Sequence, residues 1–171
     1  MVSYGLAYGM EAFGLSQRLA IGVDEATKIL DAYFIAFPNV RRYMDETVAE
    51  ARKRGYTVTL FGRRRPIPEL NNPNFRIRQA GERQAMNSGI QGLAADIFKV
   101  ALVHIDDQLS EANLESRVIL QVHDEVIIEA PPHEREQVND LVLAAMKNAA
   151  SLSVPLEVNA AWGETWADAK A

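Results

Sequence analysis

Asp124 and Glu125 stand side by side, directly after His123, between two runs of β-branched and aliphatic residues at 118–122 and 126–128. Adjacent carboxylates offer hard oxygen donors of the kind a divalent cation takes. The flanking runs have no helical spacing and predict two buried, neighbouring strands of a hairpin with residues 123–125 at its tip. A one-residue slip would turn the buried face outward, so such strands hold their register and support the tip rigidly. Taken alone, an acidic pair of this kind reads more readily as a polar turn. The rest of the chain shifts that balance.

A second group able to do chemistry is Arg83, Asn87 and Gln91, which recur every four residues inside a long helical pattern from about 75 to 109. Ala80, Met86, Ile90, Leu93, Ala94, Ile97, Val100 and Ala101 supply its apolar positions. Four-residue steps put the three polar side chains in one stripe. Lys and Glu would populate a merely solvated face, whereas Arg, Asn and Gln suit hydrogen bonds to base edges and sugars. Gly89 and Gly92 lower the bulk beside the stripe, as the close approach of another chain would require. Satisfaction of Asn87 and Gln91 within the protein is the competing reading. Arg63, Arg64 and Arg65 follow a glycine turn and suit phosphate or base-edge contact. Tyr4 and Tyr8 lie four apart, each followed by glycine, which predicts either a bend or close backbone approach at Gly5 and Gly9 or two aromatics packed on a core beside incidental glycines.

These groups need elements to position them. In the first fifty residues, Ser16 is a candidate cap for a short helix. Asp24 is a candidate cap for a second, with Ile29, Leu30, Tyr33, Phe34 and Phe37 as its apolar face. Pro38 opens a third helix that Gly55 ends. Residues 56–61 alternate like a strand, and Asn71-Asn72-Pro73-Asn74 is a loop and the best subdomain boundary. After the predicted hairpin, Pro131-Pro132 leads into a helix with Val138, Leu141, Val142, Ala145, Met146 and Ala149 as its core stripe. Residues 156–160 alternate and predict a returning strand. The fold class is therefore α+β, a helical part followed by helix, hairpin, helix and strand.

Composition sets outer bounds. With 171 residues and 48% hydrophobic content the chain can bury a real core. The absence of cysteine excludes disulfides and thiolate metal sites. No leader-like segment and no apolar run near bilayer length is read, so a cytoplasmic protein with no membrane partner is expected. The net charge of −5 is uneven, because residues 41–83 hold 11 Lys/Arg against 5 Asp/Glu while the remainder carries −11. A basic middle segment can follow a phosphate backbone within an acidic chain.

Ser3-Tyr4-Gly5-Leu6-Ala7-Tyr8-Gly9-Met10, Leu60-Phe61-Gly62-Arg63-Arg64-Arg65, Asn87-Ser88-Gly89-Ile90-Gln91-Gly92 and Gln121-Val122-His123-Asp124-Glu125 together resemble the A family of DNA polymerases, of the bacterial polymerase I kind. The resemblance covers essentially the whole chain in the correct order. It implies that residues 1–77 are the fingers subdomain, incomplete at its N-terminus, and 78–171 the C-terminal part of the palm. By resemblance Asp124 is a catalytic ligand of two Mg²⁺ ions and Glu125 its neighbour with a lesser role. Tyr4, Tyr8 and Gly9 fall at the incoming nucleotide, and tyrosine at position 4 implies tolerance of nucleotides lacking a 3′-hydroxyl. Arg83, Asn87, Gln91 and His123, with Arg63, Arg64 and Arg65, fall at the primer-template. In the minor groove, correct pairs present nearly the same acceptors, so such contacts check geometry without reading sequence.

The sequence also departs from the family pattern. The arginine and lysine that hold the triphosphate would lie before residue 1. The second palm aspartate belongs to an upstream segment, and Asp96, Asp106 and Asp107 do not replace it. The resemblance thus implies a template-directed DNA polymerase of replication and repair, using deoxynucleoside triphosphates and primer-template DNA. This stretch is expected to be inactive without the upstream palm and thumb. The alternatives are a non-catalytic DNA-binding or partner-binding module of the same fold, a related RNA polymerase, and a metal-dependent hydrolase. The last has only one nearby histidine and no ligand spacing to support it.

Overall fold

The structure is a computed structural model that describes residues 5, 6 and 8–169. The chain forms two compact units, Met1–Leu93 and Ala94–Ala171. They part inside a long helix, α4 (Phe75–Glu111).

In the N-terminal unit, helices α1 (Ala12–Leu19), α2 (Val23–Ala36) and α3 (Pro38–Arg54) follow one another through short breaks. Pro38 opens α3 where its missing N–H costs nothing, and Gly55 closes it at φ 78°. Arg52, Lys53 and Arg54 in the last turn favour the negative end of the helix dipole. Two expected caps differ. Ser16 lies inside α1, where its hydroxyl donates to the Phe13 carbonyl at 2.8 Å. Gly22 holds the N-cap position of α2, leaving Asp24 in the first turn, where its charge still complements the dipole. The α2 face also splits: Leu30 and Tyr33 pack against buried Leu6, Leu15 and Ala26, while Ile29 and Phe37 are exposed.

A small hairpin, β1 (Tyr56–Val58) and β2 (Arg64–Pro66), pairs Tyr56 with Pro66 and Val58 with Arg64. Gly62 turns between them at φ 83°. Behind it Ala51, Ile67, Leu70 and Ala85 form a buried cluster joining α3 to α4.

The C-terminal unit packs the end of α4 against a second antiparallel hairpin, β3 (Arg117–Val122) and β4 (Glu125–Glu129), and α5 (Arg135–Lys147). Its core is Ile105, Leu109, Val138 and Ala145, with Val118, Val126, Ile128, Leu141, Val142 and Met146 packed around them. A register shift at Ile119 bulges β3, and Ile119 and Leu120 are 54% and 46% exposed. The strands were expected to be buried; only one face of this two-stranded sheet meets the core. Residues 156–160 form no strand, because their alternation finds no ladder to join, and Trp162 instead anchors the tail by donating to Asn139 Oδ1 at 3.3 Å. A short helix, α6 (Trp166–Ala169), follows.

By length and composition, α4 is apolar enough to cross a membrane, with an 18-residue window of mean hydropathy 1.2. Ala85 belongs to the core of the first unit and Ile105 and Leu109 to that of the second, and Ala101 is buried as well, while Ile77, Ile90 and Val103 on the same helix are exposed.

Glu134, 6% exposed at the start of α5, accepts from the Glu115 N–H at 2.9 Å, the Ser116 N–H at 3.0 Å and the Ser116 hydroxyl at 2.5 Å. The Ser116 hydroxyl, chiefly, and the Glu115 N–H hold its carboxyl below the ordinary value of 4.5. A depressed carboxyl stabilises the fold fully above its unfolded pKa and loses that contribution as pH falls through the folded value. Glu134→Gln is therefore expected to lower the Tm by several degrees at neutral pH, with the difference shrinking below pH ~4.5. Thermal melts across pH check this, and an equal deficit at every pH would contradict it.

Candidate functional site

The predicted acidic hairpin is present, with a sharper tip than expected. His123 and Asp124 alone make the connection, and Glu125 is already in β4, paired with Val122. All three are exposed. His123 has φ 55°, and Asp124 has no positive φ. Positive φ at only the first loop residue is the pattern of a type II′ turn, where glycine is favoured. A histidine there carries strain of about 1–2 kcal/mol. Gln121 Nε2 donates to the His123 carbonyl at 2.9 Å. His123→Gly should therefore stabilise the C-terminal unit by about 0.5–1 kcal/mol, the relief of strain less the greater unfolded-state freedom of glycine. Urea unfolding would measure the gain, and destabilisation would show that no strain is stored there.

The tip's donor set suits a hard divalent ion, since both acids offer only oxygens and both are open to solvent. A different cluster, Glu115, His133 and Glu134, also has ligand atoms within 4.8 Å of one another. There the Glu134 oxygens already receive three hydrogen bonds, and the cluster serves to tie β3 to α5.

In the N-terminal unit, the stripe on α4 meets the Tyr8-Gly9 turn. Gly9 has φ 77°, and a Cβ there would stand 3.0 Å from Met86 Cε, so both conformation and space require glycine. Asn87 Nδ2 donates to the Tyr8 carbonyl at 3.5 Å, and Asn87 Oδ1 is shielded from solvent without a hydrogen-bond partner. Arg83 lies 3.8 Å from Glu11 Oε1 and is half-buried, while Gln91 is exposed. Tyr4 lies outside the described residues; Tyr8 is 39% exposed.

The glycines beside the stripe have a different use from the one expected. A Cβ at Gly89 would meet the Tyr43 hydroxyl at 2.7 Å, and one at Gly92 the Thr59 methyl at 2.7 Å. Their space is taken by this chain's own side chains. Two side chains of the arginine run also have neighbours within this chain. Arg64 lies over the Tyr56 ring at 5.1 Å, and the Arg65 guanidinium stands 2.6 and 3.2 Å from the Gln84 side-chain amide, which accepts from it when its oxygen is turned to that side. Arg63 is held through its backbone: its carbonyl accepts from the Thr59 N–H at 3.0 Å and its N–H donates to the Thr59 hydroxyl at 3.2 Å. Sequence reasoning missed Gln84 and Gln121. Gln121 lies two residues before the tip, a position that could have singled it out, whereas Gln84 is next to Arg83 and off its stripe, so spacing carried no signal for it.

The sequence profile of DNA polymerase family A matches residues 1–168. The chain belongs to DNA polymerase family A. DNA polymerase I of Mycobacterium bovis is 53% identical over 165 residues, 96% of this chain and 18% of the relative. That of Bacillus caldotenax is 46% identical over 169 residues, 99% of this chain and 19% of the relative. A solved structure, the POL domain of Pol1 from M. smegmatis in complex with DNA primer-template and dNTP, is similar over 99% of this chain and 30% of its own, with 47% identity and a TM-score of 0.96. The chain thus spans about a fifth of the length of these two polymerase I relatives. The family A assignment agrees with the α+β expectation: the described residues are mostly helical, with two small hairpins among them.

Proposed function

We propose that the complete protein is a template-directed DNA polymerase that joins deoxynucleotides to a primer 3′-hydroxyl, and that this chain supplies its fingers at 1–77 and the C-terminal palm at 78–171. The observation that carries the reading is the family A match over residues 1–168 together with likeness to a polymerase domain in complex with primer-template and dNTP. Asp124, seconded by Glu125, would hold two Mg²⁺ ions with an aspartate from the upstream palm. When bound, such ions lower the barrier by activating the attacking hydroxyl and neutralising the departing pyrophosphate.

The chain's own residues have separate tasks. The rigid β3–β4 support keeps the Asp124 carboxylate at a fixed place on the turn. Tyr4, Tyr8 and Gly9 form the nucleotide-facing segment. Asn87 tethers that segment to α4 through the Tyr8 carbonyl, and its buried, unpaired oxygen suits a donor arriving with substrate. Arg83, Gln91, His123 and the arginines at 63–65 contact primer-template. The resemblance supports a part in replication and repair in the cytoplasm. With one palm aspartate the chain alone holds half of the metal site and does not turn over. The test is primer extension by the chain joined to an upstream family A segment, as given and with Asp124→Asn; undiminished extension by the variant would sink the proposal.

A further inference from the structure

The tip of the β3–β4 hairpin combines a strained residue with a side-chain brace. His123 occupies positive φ in a two-residue connection where glycine would be relaxed, and the Gln121 amide donates to its carbonyl at 2.9 Å. That carbonyl belongs to the same planar peptide as the Asp124 N–H, so whatever fixes its orientation also fixes where the Asp124 Cα and side chain leave the turn. Gln121 is on a paired strand, opposite Val126, so the brace starts from a supported position.

We infer that Gln121 is a positioning residue for Asp124, holding the His123–Asp124 peptide plane through its amide. The inference rests on the proposed role of Asp124 and deepens it. A free peptide at this turn would relax, because a non-glycine residue at positive φ gains by rotating away from it. Rotation would swing the carboxylate. A displacement of about 1 Å in a reacting group lowers rates on the order of a hundredfold. The brace opposes that rotation without touching substrate or metal. It also accounts for a long amide side chain on an exposed strand position, where a β-branched residue would pack better.

Gln121→Glu keeps the size and removes the donor, and Gln121→Ala removes both. In the 171-residue chain labelled with carbon-13 and nitrogen-15, either substitution is expected to move the His123 carbonyl resonance upfield, as loss of a hydrogen bond does, with the remaining core resonances in place. An unmoved His123 carbonyl would overturn the proposal directly. In a chain that includes the upstream polymerase segment, both variants are expected to lower the maximal rate about ten- to a hundredfold and raise the half-saturating Mg²⁺, leaving the primer-template KM unchanged. A raised primer-template KM with normal rate and Mg²⁺ dependence would mean that Gln121 reads DNA itself, and would overturn the positioning role. So would a moved carbonyl with unchanged kinetics. Full extension by Asp124→Asn would instead remove the functional reading on which this rests, whatever the Gln121 variants do.

Discussion

Joined to an upstream family A segment, Asp124→Asn is expected to reduce primer extension on the order of a thousandfold, while the 171-residue chain alone gives none in either form. The size follows from what is removed. The variant keeps the shape of the side chain and the turn but loses one negative charge from the donor set. Stabilisation of transition-state charge by a bound ion is worth several kcal/mol, and about 4 kcal/mol is a thousandfold in rate. Because His123 and Asp124 are the whole connection between β3 and β4, no neighbouring residue can move into the vacated place without breaking the Val122–Glu125 pair. Glu125 belongs to the strand and cannot substitute. Single-turnover extension with Mg²⁺ separates this from weakened DNA binding. Extension by the isolated, unmodified chain that Asp124→Asn abolishes would show that half of the metal site suffices.

The second large effect concerns stability. Ile105 is fully buried on α4 among Leu109, Val138 and Ala145, and the hairpin packs on the same cluster through Val118, Val126 and Ile128. Ile105→Ala removes three carbons from that core and is expected to cost about 3 kcal/mol, the transfer term plus the cavity left behind. For a unit of this size that lowers the Tm by roughly 10–20 °C. Because the hairpin shares the cluster, amide exchange in β3 and β4 should quicken along with that in α5. Ile119→Ala provides the contrast: its side chain is exposed on the bulge, and the change should stay within about 0.5 kcal/mol. Equal losses for the two variants would mean that the core has been assigned to the wrong face.

The elements with strong local signals were readable in advance. The α4 helix was expected from about 75 to 109 and runs Phe75–Glu111, since its apolar spacing is long and an asparagine-rich loop precedes it. The stripe on α5 was readable for the same reason. Pairing was harder. Residues 64–66 have no strand propensity, and β2 exists because the Gly62 turn returns the chain along β1. Residues 156–160 alternate like a strand and are not one, because alternation records what a face could bury and not whether a partner is there. The hairpin shows the same limit: an apolar run implies cover on both faces, but only Val118, Val126 and Ile128 meet the core, and Ile119 and Leu120 are left exposed. For the candidate site, residue types and spacing pointed to Asp124 and to Arg83, Asn87 and Gln91. What approaches Gly89 and Gly92 was illegible, since a missing side chain makes room without naming its occupant.

The two-residue connection at His123 and Asp124 also sets what kind of change this protein can absorb. A substitution at the tip alters one side chain. A single inserted residue would shift Glu125 against Val122 and reverse which of Val126, Ile127 and Ile128 faces the core. As far as folding is concerned, the tip should therefore tolerate variation in composition far more readily than variation in length, although it is exposed and although insertions are ordinarily accommodated in exposed turns.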